Sequence, residues 1–264
     1  MTHKKTIPTQ VVILSGGKGE RLMPLTARMN KGMVRVAGKP FLEHLILLFK
    51  KNGIRRFLIL TGHAPESITD YFGNGKKWGV EIAYHHAQTE MNHGKRLADA
   101  LPFVDDFFLL HRNDIYWPFD IKKHLARFNE AGLPALMTVY RNRAKDGIYG
   151  PDNNVRVNKK GVIERYDNTL SPSPFYHGQD LGFFLLAKEV IKKYMPTNPP
   201  DDYCLHHGFF STLAGQGLLA AFLTDTPATT TTDASWLQKA EAYFKALPQS
   251  GQEVQAKTRR TKKV

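Results

Sequence analysis

The string Ser15-Gly16-Gly17-Lys18-Gly19-Glu20-Arg21-Leu22-Met23-Pro24-Leu25-Thr26 holds the residues of this chain best suited to chemistry. Its three glycines open the backbone to close approach, and their N–H groups can face an anion. Arg21 adds a planar, permanently charged fork of donors, which suits a triphosphate better than a point charge does. Two familiar phosphate-binding patterns are excluded by spelling. A P-loop requires Gly-Lys-Ser/Thr, and Lys18 is followed by Gly19. A dinucleotide fingerprint requires a third glycine where Leu22 stands.

Other residues invite weaker readings. His85-His86 and His206-His207 could suggest metal pairs, but adjacent strand residues point to opposite faces and zinc ligands favour other spacings. They read as surface histidines. Cys204 has no Cys-His-Asn pattern around it and does not read as a nucleophile. Tyr116-Trp117-Pro118 either stacks a base or sugar or fills a turn, and the sequence leaves both open. Thr229–Thr232 reads as a β-prone loop or strand.

The elements that must position the glycine string follow from hydrophobic pattern. Thr9–Leu14 is a β-branched run that stops at Ser15-Gly16-Gly17, a buried strand feeding a loop. Pro40–Asn52 carries a helical apolar period closed by Gly53. Arg56–Leu60, Val80–Tyr84, Phe107–Leu110 and Ala135–Tyr140 read as strands, with helices at Pro65–Phe72, Gly94–Leu101 and Phe119–Ala131 between them. That alternation implies an α/β fold with a mostly parallel sheet and helices on both faces. Beyond Asn142 the texture changes. Asn154–Val157 and Val162–Tyr166 read as a hairpin, Ser171-Pro172-Ser173-Pro174 as a loop, and Leu181–Leu186 and Leu219–Leu223 as strands. Helices are expected at Lys188–Tyr194, Asp201–Gly215 and Ser235–Ala246. The expected organisation is one domain over 1–248, with a core at 9–142, a lobe at 143–248 and a basic, disordered tail at 249–264.

The 264 residues carry 37 Lys and Arg against 24 Asp and Glu, a formal net charge of +13. This favours an anionic partner. Five of those cations (Lys257, Arg259, Arg260, Lys262, Lys263) crowd the end of the chain, leaving 32 against 24 elsewhere. They read as a solubilising tail in preference to a nucleic-acid or membrane tether. With 42% hydrophobic and 23% charged residues, general disorder is excluded. No run approaches the ~20 apolar residues of a membrane span. One cysteine and no visible secretory signal fit a reducing cytoplasm.

SGGKGERLMPLT resembles the signature of the sugar-1-phosphate nucleotidyltransferases, the NDP-sugar pyrophosphorylases. Lys31-Gly32-Met33-Val34-Arg35-Val36-Ala37-Gly38-Lys39-Pro40 and the segment Thr61–Tyr84 resemble two further motifs of that family, in the same order. Gly94-Lys95-Arg96-Leu97, Tyr116-Trp117-Pro118 and Tyr149–Asn154 look most like bacterial members acting on mannose- or heptose-type 1-phosphates with a guanylyl donor.

The resemblance implies a Rossmann-like fold of the nucleotide-diphospho-sugar transferase type. It implies that a sugar 1-phosphate and an NTP, GTP favoured, give an NDP-sugar and pyrophosphate for polysaccharide or glycoconjugate synthesis. Arg21 and Lys31 would be catalytic. Leu14, Ser15, Gly16, Gly17, Gly19, Arg21 and Gly94 would bind nucleotide, and Asn113, Tyr149, Gly150, Asp167 and Asp180 the sugar phosphate. Mg²⁺ would be held at Asp114, which follows the strand Phe107–Leu110 where the family carries an aspartate. A homo-oligomer is open.

The chain also departs from the family. Asp167-Asn168-Thr169 lacks the lysine that touches the sugar phosphate in many members. Thr229–Thr232 stands where a second metal aspartate often lies, with Asp233 and Asp225 as its substitutes. Arg112 sits beside Asp114. Asn30, Gly32 and Arg35 replace prolines around Lys31, an arrangement expected to loosen that loop. Two alternatives follow: a cytidylyl- or uridylyltransferase for another phosphorylated substrate, and a nucleotide- or sugar-nucleotide-binding regulatory relative without turnover.

Overall fold

The computed structural model describes residues 4–167 and 176–247. Asn168, Thr169, the loop Ser171–Pro174 and the basic tail lie outside the described residues.

In chain order the strands are β1 (Gln10–Ser15), β2 (Arg35–Val36), β3 (Lys39–Pro40), β4 (Arg56–Thr61), β5 (Glu81–His86), β6 (Phe107–Arg112) and β7 (Ile115–Tyr116). They continue with β8 (Ala135–Tyr140), β9 (Val155–Val157), β10 (Ile163–Tyr166), β11 (Gln179–Ala187), β12 (Leu219–Thr224) and β13 (Thr229–Thr230). The helices are α1 (Phe41–Lys51), α2 (Glu66–Phe72), α3 (His93–Ala100), α4 (Ile121–Ala131), α5 (Lys188–Tyr194), α6 (Ser211–Gly215) and α7 (Ala234–Ala246).

Seven strands form the central sheet in the order β12-β8-β11-β6-β1-β4-β5. β1 pairs in parallel with β4 and β6, β4 with β5, and β8 with β12. β11 runs antiparallel between β6 and β8. Strands from both sides of Asn142 therefore share one sheet.

The pattern of β1 explains its central place. Val11 and Ile13 enter the core beneath α1, while Val12 enters the core beneath α3. Successive strand side chains point to opposite faces, so only a run apolar at every position can sit between two helical layers. Phe49 stacks on Phe183 in one layer, and Phe184 stacks on Phe210 at 4.2 Å in the other.

The helix expected over Asp201–Gly215 is corrected. Asp201–Cys204 is not helical, Leu205–Phe210 is a π-helical segment, and α6 follows. The Asp201 and Tyr203 carbonyls accept from the Asn92 and Gly94 N–H groups, so the start of α3 takes acceptors that a helix would need. Trp117 also resolves. It is buried among Phe119, His124, Phe183 and Phe222, and its Nε1 donates to the Thr226 carbonyl at 3.0 Å. It fills the core and does not line the cavity beyond the C-terminal ends of β1 and β6. Thr229 and Thr230 form β13, paired with β7. Among the described residues no helix is long and apolar enough to cross a membrane.

Candidate active site

A cavity of about 600 Å³ opens beyond the C-terminal ends of β1 and β6. Ligands gather on this side of parallel sheets because loops of free geometry meet helix starts there. Leu14, Ser15, Gly16, Gly17, Gly19, Arg21, Lys31, Asn113, Asp114 and Tyr149 all line it.

A buried amide network fixes its floor. Ser15 Oγ donates to Asn30 Oδ1 at 2.9 Å, and Asn30 Nδ2 donates to the Ser15 and His63 carbonyls. Asn113 Nδ2 donates to Ser15 Oγ and to Asn30 Oδ1. Asn30 Oδ1 also accepts the Gly32 N–H at 3.0 Å. The loop around Lys31 is thus held by side-chain bonds, and the expected loosening from lost prolines is corrected. Gly19 has φ +68, and a side chain there would press on Thr26 and Lys31. That position requires glycine.

The charge at the centre is organised around Asp114. Lys31 Nζ donates to its Oδ2 at 2.6 Å. Arg112 Nε and Nη2 donate to Oδ1 and Oδ2 at 3.2 Å each, and Arg112 Nη1 donates to the Tyr149 hydroxyl at 2.7 Å. Burial alone would raise the Asp114 carboxyl, but Arg112 and Lys31 overrule it and hold it well below the usual carboxylate range. Burial raises the Tyr149 hydroxyl to about 12, so it stays protonated. Arg21 is exposed at the cavity mouth.

Gly16 plays a different part from the one its loop suggests. The Arg96 guanidinium lies against the Gly16 and Gly62 backbones, inside the space a Cβ would take at either. Arg96 is 4% exposed, its Nη2 donates to the Gln88 and Thr89 carbonyls, and its Nε has no partner. Gly16 therefore makes room for a flat cation.

Four expected residues do not reach the cavity wall. Gly94 packs its backbone on Tyr203, where any side chain would collide. The Gly150 carbonyl accepts from Asn142 and Gln179. Asp167 donates its N–H to the Asn154 carbonyl. Asp180 is fully buried and accepts from the Tyr166 hydroxyl at 2.7 Å and from the Gly182 N–H.

The second metal carboxylate is also placed elsewhere. Asp233 caps α7 through the Trp236 N–H, and Asp225 pairs with Arg141 at 2.6 Å. The Thr230 hydroxyl donates to the Asp114 backbone carbonyl. Asp114 is left as the buried carboxylate on the wall, with exposed Glu90 and Asp202 at the rim. This donor set fits a cation held by one carboxylate, water and substrate phosphates, once Lys31 releases Oδ2. It does not fit an ion held by protein alone.

Arg96, Arg112, His93, Cys204 and His206 also line the cavity and were not among the expected site residues. His206 is buried, correcting its reading as a surface histidine, and burial holds it down to about 3. Burial likewise keeps His93 well below the ordinary histidine range. The adjacent charge of Arg112 beside Asp114 was the one sequence signal available. Nothing in the sequence marks the approach of Arg96 to Gly16.

A glycine loop follows a central parallel strand of this α/β fold and faces cations across a cleft. The chain belongs to the nucleotidyl transferase family, whose model matches residues 10–159. It is 26% identical over 230 residues to a UTP–glucose-1-phosphate uridylyltransferase of Synechocystis, covering 79% of this chain and 56% of that one. It is 32% identical over 193 residues to the bifunctional protein GlmU of Methanococcus vannielii, covering 70% and 43%. The chain thus spans about half the length of these relatives. In structure it resembles HddC from Yersinia pseudotuberculosis, with TM-score 0.74 at 19% identity, over 89% of this chain and 99% of that one. A glucose-1-phosphate thymidylyltransferase-like structure from Bacillus anthracis matches with TM-score 0.75 at 19% identity, over 90% and 96%. These two likenesses concern the fold.

Proposed function

We propose that this protein joins an NTP and a sugar 1-phosphate into an NDP-sugar, releasing pyrophosphate. The observation that carries the reading is the convergence of Gly17, Gly19, Arg21 and Lys31 on one cavity that also holds Asp114. An oxygen of the sugar phosphate attacks the α-phosphorus in line. One P–O bond forms, the bond to the β-phosphate oxygen breaks, and pyrophosphate leaves. No covalent enzyme intermediate is needed, so the protein's work is positioning and charge neutralisation.

Arg21 grips the leaving phosphates. Lys31 turns from Asp114 to the reacting phosphate, a short move for a flexible ammonium. Arg112, fixed by Asp114 and Tyr149, remains behind as a stationary cation for the sugar phosphate. It supplies a charge that the segment Asp167-Asn168-Thr169 lacks. Mg²⁺ is the divalent ion we assign, with Asp114 as its protein ligand, and when bound it neutralises phosphate charge. Among bases we place guanine first, on the likeness of Gly94–Leu97 to guanylyl-transferring members; Arg96 Nη1 beside Gly16 suits a base that presents a carbonyl acceptor. We assign the reaction to the cytoplasm, where its substrates are made.

Mass detection of NDP-sugars after incubation with Mg²⁺, each NTP and a set of sugar 1-phosphates tests this. The expected result is one favoured pair. Products lacking the sugar, or none under any pairing with folded protein, would remove the assignment.

A further inference from the structure

Three side chains apart from the phosphate-facing group meet on the same cavity wall. His93 opens α3, while Cys204, 111 residues later, and His206 flank the start of the π-helical segment. Cys204 Sγ lies 3.8 Å from His93 Nε2 and 3.6 Å from His206 Nδ1. One ligand atom from each residue lies within 4.8 Å of the other two. An ion bound at ~2.3 Å to sulfur and ~2.1 Å to nitrogen, at tetrahedral angles, sets neighbouring ligand atoms roughly 3.3–3.6 Å apart. The two sulfur–nitrogen spacings, 3.8 and 3.6 Å, need only small closure to reach that, and the two ring nitrogens, within 4.8 Å of each other, close by rotation of their rings. Two imidazoles and a thiolate select a borderline-soft ion and discriminate against Mg²⁺ and Ca²⁺, which prefer oxygen.

We propose that His93, Cys204 and His206 form a binding site for a divalent ion of the Zn²⁺ class, separate from the phosphate-linked Mg²⁺ and with its fourth position toward the cavity. The ion ties the start of α3 to the segment 204–206. The two are already joined next door, where Asn92 and Gly94 donate to the Asp201 and Tyr203 carbonyls. Binding has a local signature. In the metal-free protein the Leu205 N–H donates to His93 Nδ1 at 3.1 Å, which leaves the ring proton on Nε2, facing sulfur. A metal on Nε2 moves that proton to Nδ1, so the Leu205 amide loses its acceptor and turns away. The thiol proton goes to solvent, and no oxidation state changes.

The test uses the full metal-free chain, titrated with Co²⁺ and then with Zn²⁺. The expected result is one equivalent of Co²⁺ with intense tetrahedral visible bands and a sulfur-to-cobalt charge-transfer band, both removed by Zn²⁺. Cys204→Ser loses the charge-transfer band. His206→Ala weakens binding by more than the roughly 10–100-fold that loss of an outer-shell partner costs. His207→Ala, at the exposed neighbour, changes nothing. Amide exchange at Leu205 accelerates when Zn²⁺ binds. No cobalt spectrum from the wild-type protein at equimolar ion, or an unchanged spectrum in Cys204→Ser, overturns the proposal. Both outcomes are read without activity, so they are independent of the proposed reaction.

Discussion

Replacing Asp114 by asparagine keeps the side-chain shape and removes the charge that two cations share. The wild-type arrangement sets Lys31 Nζ 2.6 Å from Oδ2 and the Arg112 fork 3.2 Å from both oxygens. The Asp114 side chain is 8% exposed, Lys31 11% and Arg112 20%. Breaking a fully buried ion pair costs about 3–5 kcal/mol, because the stranded charge cannot regain water. Here the two cations keep partial access to the cavity, which lowers the expected cost to about 2–3 kcal/mol. At roughly 2–4 °C per kcal/mol for a domain of this size, the melting temperature should fall by about 4–12 °C. Urea unfolding of wild type, Asp114→Asn, Arg112→Gln and the double variant measures this. The double variant should lose less than the sum of the singles, by about 1–3 kcal/mol, since the residues touch. Stability of Asp114→Asn within about 0.5 kcal/mol of wild type would refute the pairing and leave Asp114 as a solvated carboxylate.

Three more outcomes follow from the geometry. Gly16→Ala should displace the Arg96 guanidinium and cost about 1–3 kcal/mol of stability by overpacking; Arg96→Ala in the same chain should restore most of it, and failure of that rescue in denaturant melts would show the contact to be unimportant. Arg21→Ala should leave stability within about 0.5 kcal/mol because the residue is exposed, yet weaken NTP binding by about 1.5–3 kcal/mol per lost charged hydrogen bond, as isothermal titration would read. Burial holds His111 and His124 near 4, whereas unfolded histidine titrates near 6.5. Between those values the unfolded chain binds more protons, so stability is full above pH 6.5 and drains as pH falls toward 4. Near pH 5 the two groups together should give about 2–3 kcal/mol per pH unit, and a stability curve flat from pH 7 to 5 would contradict their burial as neutral rings.

What the sequence disclosed was whatever repeats with a period or sits at a chain-local turn. The run at Val11–Ile13 could only be a strand between two layers, and the helical stripe from Phe41 to Phe49 could only face a core. The glycine string ends a strand at the sheet's ligand side, so its place beside Arg21 and Lys31 was legible. Close approaches between distant segments were not. Gly16 and Gly62 directly follow the paired strands β1 and β4, and Arg96, early in α3, lays its guanidinium against both, which no spacing in the chain expresses. His206 reads as polar surface until the π-helical segment turns it inward beside His93. Gly94 signalled a ligand by its motif, yet its missing side chain makes room for Tyr203. Asn30 read as a lost proline, but its amide ties Ser15, Gly32 and Asn113 together.

The central claim is that this cavity joins a nucleotide to a sugar phosphate, and pyrophosphate release measures it most directly. The wild-type protein, with Mg²⁺, should release pyrophosphate one-for-one with NDP-sugar for a favoured NTP and sugar 1-phosphate. Release should require both substrates and fall about tenfold for every 1.36 kcal/mol of transition-state contact removed in Arg21→Ala and Lys31→Ala. Tight nucleotide binding that is indifferent to Mg²⁺, with no pyrophosphate from any pairing in a folded protein, would contradict it and identify a binding protein in place of an enzyme.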